Sequence, residues 1–420
     1  MSELQDISVK EALELILGEV GALPAEEIPL VATLDRVLAG PILASDQLPP
    51  FANSAMDGFA LRAADVRSTS SDSPTILKVI GDIAAGSAPD VVVVPGTATR
   101  IMTGAPVPAG ADAVIPVEDT SESRGQAWQP PPAQVTVYRS VSEGDYVRQA
   151  GEDVQVGNTV LKTGTRIRPQ EIGLMAALGV ASAEVVRRPR VGILATGDEL
   201  IGVDDSLSKG KIRNSNSFAQ AAQVIEAGGS PVVLGVARDS ESDLRDRLRE
   251  GLDKGVDVFV SSAGVSVGAY DVVKHLLATE GHIRFWRVRM RPGKPLTYGH
   301  YGGVRYFGLP GNPVSAMVSF ERFVRPALLK MGGHADLARP TVSVRLDGEI
   351  DSDGRESYVR ACVQSSADGY VATPTGLQGS HMMTSLTEAN ALVIVPEGRE
   401  SVPDGAQLMA MMLEWPGFIF

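Results

Sequence analysis

The sequence predicts an α/β plus β chain of several domains: a mostly parallel, helix-covered sheet with β-rich regions on either side. Three observations predict it. The 420 residues exceed what one hydrophobic core usually organises. Between about 189 and 333, short apolar runs alternate with amphipathic ones at the spacing of strand–helix units. On both sides of that stretch, Gly- and Pro-punctuated segments alternate apolar and polar residues with the period of a strand.

The elements follow in order. Ser8 and Glu11 have capping-box spacing, and Val9, Ala12, Leu13, Ile16 and Val20 repeat at helical intervals before Gly21. From about 49, PPFANSAMDGFALRAADV, GDIAAGSAP and VPGTATRIMTGAPVPAGADAVIP predict short strands with functional loops. TSESRGQAWQPPPAQ (120–134) reads as an exposed loop, VTVYRSVSEGDYV as a return to strand, and PQEIGLMAALGV (169–180) as a short helix. VGILAT is a buried strand ending in GDEL, and a helix over 216–227 follows Asn214 and Asn216. PVVLGVA, VDVFVSS, IRFWRVRM and VRYFGLPG are strands; SESDLRDRLREGLDKG and DVVKHLLATEG are helices, the second opened by Asp271. NPVSAMVSFERFVRPALLKMGG is a helix with Asn312 at its cap and Pro313 in its first turn. From about 338, TVSVRL, SYVRACV, ALVIV and QLMAMML predict a small β-barrel.

Composition narrows the function. Hydrophobic residues at 44% and charged residues at 21% fit a folded chain rather than a disordered one. A net charge of −13 argues against a nucleic-acid partner, since a phosphate backbone needs a basic surface; a small anion in a local basic pocket is compatible with it. No apolar run exceeds six residues (Leu408 to Leu413), against the roughly 20 a membrane-spanning helix needs. MSELQDIS resembles neither a secretory signal nor a transit peptide, so the expected location is cytoplasmic. One cysteine, Cys362, supports no internal disulfide or thiolate cluster, and the five histidines are scattered. Catalysis by a Cys/His nucleophile or a protein-borne transition metal is poorly supported.

In an open α/β sheet, ligands bind beyond the carboxyl ends of the strands. Three loops leave strands there: Thr196-Gly197-Asp198-Glu199; Ser261 to Gly268 followed by Asp271, with Gly264 and Ser266 inside it; and Leu309-Pro310-Gly311-Asn312-Pro313. Small residues let backbone N–H groups approach an anion, and a helix N-terminus adds positive potential. Carboxylates in the same place would repel a phosphate unless Mg²⁺ lay between them. The plainer alternative is that the glycines serve turns and Asp271 caps a helix. Arg284 to Lys294 carries Arg284, Arg287, Arg289, Arg291 and Lys294 without an acid, and alternation places Arg287, Arg289 and Arg291 on one strand face. That patch suits phosphate or an oxyanion, with Arg291 and Lys294 the foremost contacts, or else it is a charged edge strand. Asn53 to Gly58 and Arg100 to Pro106 read equally as binding loops or as turns.

PPFANSAMDGFA, RIMTGAPVPAGADAVIPVE, AGEDV, TGDEL, SAGVSVGAYD, RPGKP and GLPGNPVSA occur in this order. Together they resemble the molybdopterin molybdenumtransferase family of molybdenum cofactor biosynthesis, which includes the C-terminal domain of gephyrin. The resemblance spans nearly the whole chain. It implies an elongated homodimer of four-domain chains: a discontinuous domain (1–48 and 141–187), an inserted β domain (49–140), a molybdopterin-binding α/β domain (188–334) and a C-terminal β-barrel (338–420). The implied transferase reaction inserts molybdate into adenylylated molybdopterin, with Mg²⁺ as cofactor and AMP as product.

By the same resemblance, Asp57, Thr103, Glu199 and Asp271 are the catalytic residues, and Glu199, Asp239 and Asp271 serve Mg²⁺ or the adenylate phosphate. Asp153, Gly264, Ser266, Gly268, Arg291, Lys294, Pro310 and Asn312 contact substrate, as do Arg355 and Ser380 in the barrel. The Asp57 and Thr103 loops of one subunit are implied to face the α/β domain of the other. Ala263 stands where the family commonly has Gly, and Arg291 where Lys is frequent. Gephyrin-like proteins also bind peptide tails of membrane or cytoskeletal partners, so a scaffold with a peptide or protein partner is the alternative. Intact Asp57, Thr103, Glu199 and Asp271 favour the enzyme.

Overall fold

The structure, a computed structural model, describes residues 6–122, 130–263 and 267–415; at 263, 267–271 and 286 it describes the backbone alone. The chain forms two units. Met1–Glu27, Asp35–Ala39 and Glu184–Phe420 make the first, Ile28–Leu34 and Gly40–Ala183 the second. No helix among the described residues is long and apolar enough to cross a membrane.

Six strands form the main sheet of the first unit: β1 (Arg190–Thr196), β2 (Ser230–Ala237), β3 (Val258–Ala263), β4 (Gly281–Arg287), β5 (Pro295–Tyr301) and β6 (Val304–Leu309). Their order is β2-β1-β3-β6-β5-β4. β1 runs parallel to β2 and β3, and β3 parallel to β6. β5 alone runs against the rest, pairing antiparallel with both β6 and β4. Val191 to Ala195 are buried, the continuous apolar run expected of a strand covered on both faces. The sequence reading passed over β5, because Gly299 and His300 dilute the apolar alternation of PLTYGHY.

The helices Asn216–Glu226, Glu241–Asp253 and Val267–Glu280 connect these strands. Ser240 Oγ caps the second, accepting from the Asp243 N–H at 3.3 Å. The third begins at Val267, so Asp271 lies in its second turn and does not open it; Gly268, Ala269 and Tyr270 carry helical backbone without a break, alanine being the best helix former. Pro313 starts a helical run to Met331 that widens into a π-turn over Phe320–Val324. Pro326 lies two residues beyond it; it has no N–H for the regular ladder, and the wider turn accommodates it. The first helix, Val9–Glu19, has the foreseen capping box, with Ser8 and Glu11 each bonded to the other's backbone N–H. Its Val9, Ala12 and Ile16 join Val191, Phe285, Phe307 and Phe320 in one core.

The barrel closes through five strands: Glu356–Ser366, Gly369–Pro374, Thr341–Leu346, Gln407–Met412 and Ala391–Val395, the last pairing back to the first. Val359, Ala361 and Val363 fill its interior. Alternation therefore turns Tyr358, Arg360 and Cys362 outward.

In the second unit, Gly58–Leu61 and Thr97–Ile101 lie central in a five-stranded sheet that also holds Thr75–Ile83, Ala113–Pro116 and Gln134–Val137. Arg100 of the RIMTG motif is buried and forks onto Asp82, with Nε to Oδ1 at 2.8 Å. The helix expected over 169–180 runs Pro169–Ala177. Of the loop expected over 120–134, residues 123–129 lie outside the described residues.

Candidate active site

The carboxyl ends of the adjacent strands β1 and β2 lead into turns bearing Asp198, Glu199 and Asp239. Gly197 makes the first turn at φ +147°, and a Cβ there would lie 2.5 Å from a Glu199 carboxylate oxygen. Asp239 Oδ1 is buried without a hydrogen-bond partner among the described residues. Burial, then repulsion from Asp198 and Glu199, raises the Asp239 pKa. Lys211 places its Nζ on the Asp198 carbonyl at 2.5 Å.

Crowded carboxylates with one orphaned buried oxygen fit a hard divalent cation such as Mg²⁺. Among the described residues no group of three or more His, Cys, Asp or Glu side chains is arranged to hold a metal ion. Glu199 and Asp239 thus need a further ligand. The Asp271 side chain lies outside the described residues, as do Gly264 and Ser266; Gly268 is described by its backbone alone.

The basic segment is divided differently from the single strand face expected. β4 ends at Arg287, and Met290–Arg291 forms a separate short strand paired parallel to Glu356–Ser357 of the barrel. Arg284 pairs with Glu19, and Arg289 with Glu397 at 2.5 Å. Acids distant in sequence fold onto both, which an acid-free segment could not reveal. Arg287, Arg291 and Lys294 form no ion pair among the described residues. Gly293, at φ +114°, seats the Arg291–Lys294 turn on the Pro313–Met331 run: a Cβ there would lie 2.6 Å from Ser319 Oγ.

Arg291 and Pro292 border a cavity of about 270 Å³, with Ser357, Tyr358, Arg360 and Gln378 from the barrel. Glu349 and Asp351 also border it, both exposed to solvent. Arg360 is only 1% exposed. Its Nε donates to Ser385 Oγ at 3.0 Å, and its Nη2 to the carbonyls of Gly379 at 3.1 Å and Leu377 at 3.4 Å. No carboxylate partners it among the described residues. Burial, then the like charge of Arg291, pulls its pKa down to about 10. It stays charged at neutral pH, and a bound anion would relieve the cost of that charge. Arg355, the barrel arginine singled out by resemblance, is bonded instead to Asp353 and to the Met290 carbonyl, and does not line the cavity.

Asn312 and Ser380, chosen from motifs far apart in sequence, meet: Asn312 Nδ2 donates to Ser380 Oγ at 2.9 Å. Asn312 holds the cap position, but its side chain makes no capping bond. The Val314 N–H donates to the Ser380 carbonyl at 3.1 Å. Pro310 is buried at the end of β6.

A larger cavity of about 460 Å³ is lined by Gln223, Glu226, Met317, Glu321, Arg339 and Glu414, among others. Arg339 is bound up with Glu226, Glu321 and the Leu413 carbonyl, so excess negative charge remains. Its sign is wrong for an anionic ligand.

In the second unit, Asp57 Oδ1 accepts from both the N–H and the hydroxyl of Thr103, at 2.7 and 2.8 Å. Both residues are exposed, and two motifs 46 positions apart are thereby joined. Asp153 is exposed, its N–H donating to the Leu48 carbonyl at 2.9 Å.

Sequence reasoning did not single out Arg360 or Lys211, and named Asp198 only as part of the Thr196–Glu199 loop. A basic residue in the middle of the SYVRACV strand was the available signal for Arg360.

Residues 7–179 match the family model of the MoeA N-terminal region (domain I and II), 192–330 that of a probable molybdopterin binding domain, and 343–412 that of the MoeA C-terminal region (domain IV). A Bacillus subtilis protein named molybdopterin molybdenumtransferase is 37% identical, over 98% of this chain and 96% of its own length. A Mycobacterium tuberculosis H37Rv protein named molybdopterin molybdenumtransferase 2 is 38% identical, over 96% of this chain and 98% of its own. The crystal structure of the molybdopterin biosynthesis moeA protein from Pyrococcus horikoshii OT3 matches with a TM-score of 0.80 at 30% identity, over 97% of this chain and 100% of that one. With three consecutive domain models and relatives this similar along nearly its whole length, the chain belongs to the molybdopterin molybdenumtransferase family of enzymes.

Proposed function

We propose that this enzyme inserts molybdate into adenylylated molybdopterin and releases AMP. One observation carries the reading: Arg360 is buried, charged and without an ion-pair partner among the described residues, and it borders a cavity of about 270 Å³ together with Arg291. In that cavity Arg291 and Arg360 hold the molybdate oxygens, Arg360 by charge-assisted hydrogen bonds that need no prior desolvation. Lys294, exposed on the same turn, attracts the anionic substrate. The bonds to molybdenum come from the substrate's own dithiolene sulfurs, which is why a chain with one cysteine suffices. As the two sulfurs bind, molybdate gives up an oxide that takes the thiol protons; the phosphoanhydride to AMP breaks by taking up one such water equivalent, so that oxygen and protons balance.

Glu199 and Asp239, with Asp271 as the expected further ligand, would hold Mg²⁺. Bound there, the ion would neutralise charge on the adenylate phosphates. The carboxylates thus have a role beside a polyanion only in the ion's company. On the strength of the family resemblance, Asp57 and Thr103 enter as catalytic residues and Asp153 as a substrate contact, reaching the same cleft from the other subunit. A homodimer, a cytoplasmic location and the four-domain division at 1–48 with 141–187, 49–140, 188–334 and 338–420 belong to the same reading. Nothing in the site favours the peptide-binding scaffold. The test is to incubate the purified chain with adenylylated molybdopterin, Mg²⁺ and molybdate. AMP should appear in proportion to enzyme and should require molybdate; a pure, folded preparation that released none would sink the proposal.

A further inference from the structure

Asn216 lies at the first position of the Asn216–Glu226 helix, but it does not act as a cap. Ser215 stands at the cap without a side-chain bond, and Asn214, one residue earlier, supplies one, its Oδ1 accepting from the Ser217 N–H at 3.2 Å. The Asn216 amide instead reaches out of its helix: Nδ2 donates to the Gly311 carbonyl at 2.8 Å. Gly311 begins the turn whose next residue, Asn312, donates to Ser380 Oγ, and whose Val314 N–H donates to the Ser380 carbonyl. The residue before Ser380 is Gly379, and its carbonyl accepts from the buried Arg360 guanidinium at 3.1 Å. Hydrogen bonds and short stretches of backbone therefore run from Asn216 to Arg360.

We infer that Asn216 is a positioning residue for the oxyanion cavity. Its amide fixes the Gly311 turn, the turn fixes the 379–380 loop, and the loop aims the Arg360 guanidinium. The role requires a donor. An aspartate at 216 would be isosteric but would face the Gly311 carbonyl with a charged acceptor; only its protonated form could donate. The inference rests on the reading of the Arg291–Arg360 cavity as the molybdate site.

The test measures molybdate binding to the full-length protein by calorimetry, alongside AMP release and thermal unfolding, for wild type, Asn216→Asp and Asn216→Ala. Loss of one neutral hydrogen bond predicts molybdate affinity about 10-fold weaker for both variants near pH 8, with kcat at saturating molybdate within about twofold of wild type. Asn216→Asp, which sets a charged acceptor against the Gly311 carbonyl, should lose at least as much affinity as Asn216→Ala. A role confined to helix stability would lower the melting temperature of both variants and leave molybdate affinity unchanged. Unchanged molybdate affinity in both overturns the inference. So does a wild type that binds no molybdate. If the binding pattern appears but wild type releases no AMP, the proposed reaction fails and the positioning role stands. Should either variant not fold, Asn216→Ser replaces it; its shorter hydroxyl falls short of Gly311, and unchanged affinity there is equally fatal.

Discussion

Two places in the first unit carry electrostatic strain of opposite sign. At the ends of β1 and β2, Asp198, Glu199 and Asp239 crowd together, and a buried Asp239 oxygen has no donor among the described residues. In the barrel-side cavity, which Glu349 and Asp351 also border, Arg360 is buried beside Arg291 without an ion-pair partner among the described residues. Elsewhere the same unit satisfies its buried charges well: Glu321, 8% exposed, meets Arg339 at 3.0 Å. A fold able to pair charges, yet leaving a buried Asp239 oxygen without a donor and the buried Arg360 without an ion pair among the described residues, points to ligands as the missing partners. A hard cation suits the first and an oxyanion the second.

Removing the buried cation should have the largest effect. Arg360→Met should weaken molybdate binding about 100-fold, the upper range for charge-assisted hydrogen bonds. Stability should nevertheless fall by less than the roughly 3–5 kcal/mol that breaking a buried ion pair costs, because no carboxylate is left behind. Calorimetry and urea unfolding measure the two. Affinity within about threefold of wild type would remove the oxyanion from this cavity, since even an ordinary hydrogen bond is worth more than that.

The acidic centre offers the reverse experiment. Asp239→Asn relieves repulsion and gives the buried position a donor as well as an acceptor. In metal-free buffer it should raise stability by on the order of 1 kcal/mol. Added Mg²⁺ should stabilise wild type and do so much less in the variant. A variant that is less stable without metal would mean that Asp239 has an acid-independent structural bond, and the contrast between the two centres would lose one side.

Each centre is also held by a glycine, which allows a crossed test. Gly197→Ala places a methyl 2.5 Å from the Glu199 carboxylate, and Gly293→Ala places one 2.6 Å from Ser319 Oγ, each at a positive φ. Both should cost about 1–3 kcal/mol of stability. Gly197→Ala should blunt stabilisation by Mg²⁺ and spare molybdate affinity; Gly293→Ala, which shifts Arg291, should do the opposite. If both variants damaged both responses alike, the two centres would not be separate.

The two centres also differ in how far the sequence exposed them. Glu199 and Asp239 lie in turns directly after apolar strands; a local pattern of strand, glycine and acid marked the Asp198–Glu199 turn, and the family resemblance singled out Glu199 and Asp239. β5 escaped because glycine and histidine interrupt its alternation. The Arg284–Lys294 patch was half legible: its charge was plain, but Glu19 and Glu397, which take up Arg284 and Arg289, come from opposite ends of the chain. Arg360 was not legible. Alternation turns it away from the barrel interior, where a solvated arginine is the ordinary expectation, and only the folding of the 375–385 segment over that face buries it. Arg355, five residues earlier, drew attention by the family resemblance and is tied to Asp353. Asn312 and Ser380 were both chosen, yet nothing in their spacing showed that they touch.

A paired carboxylate in the second unit supplies the smallest test and the opposite sign. Glu171, 8% exposed, accepts from the Arg168 guanidinium at 2.6 Å and from its backbone N–H at 2.8 Å. Those bonds hold its pKa down at about 2. An acid whose folded pKa is depressed stabilises the fold above its unfolded pKa, and that stability is lost as pH falls toward the folded value. Asp239 is raised, so its charge costs stability at neutral pH and the cost fades as pH falls through its folded pKa. Glu171→Gln should therefore be less stable than wild type at about pH 7, by roughly 1 kcal/mol because the Arg168 side chain is largely exposed and screened. Asp239→Asn should be more stable there. Lowering the pH to about 3, between the folded and unfolded pKa of Glu171, should bring both variants toward wild type, one from below and the other from above. Urea unfolding of the three proteins at both pH values reads the result. Deviations on the same side would show that Asp239 is satisfied by a partner, as Glu171 is, and that the acidic centre needs no cation.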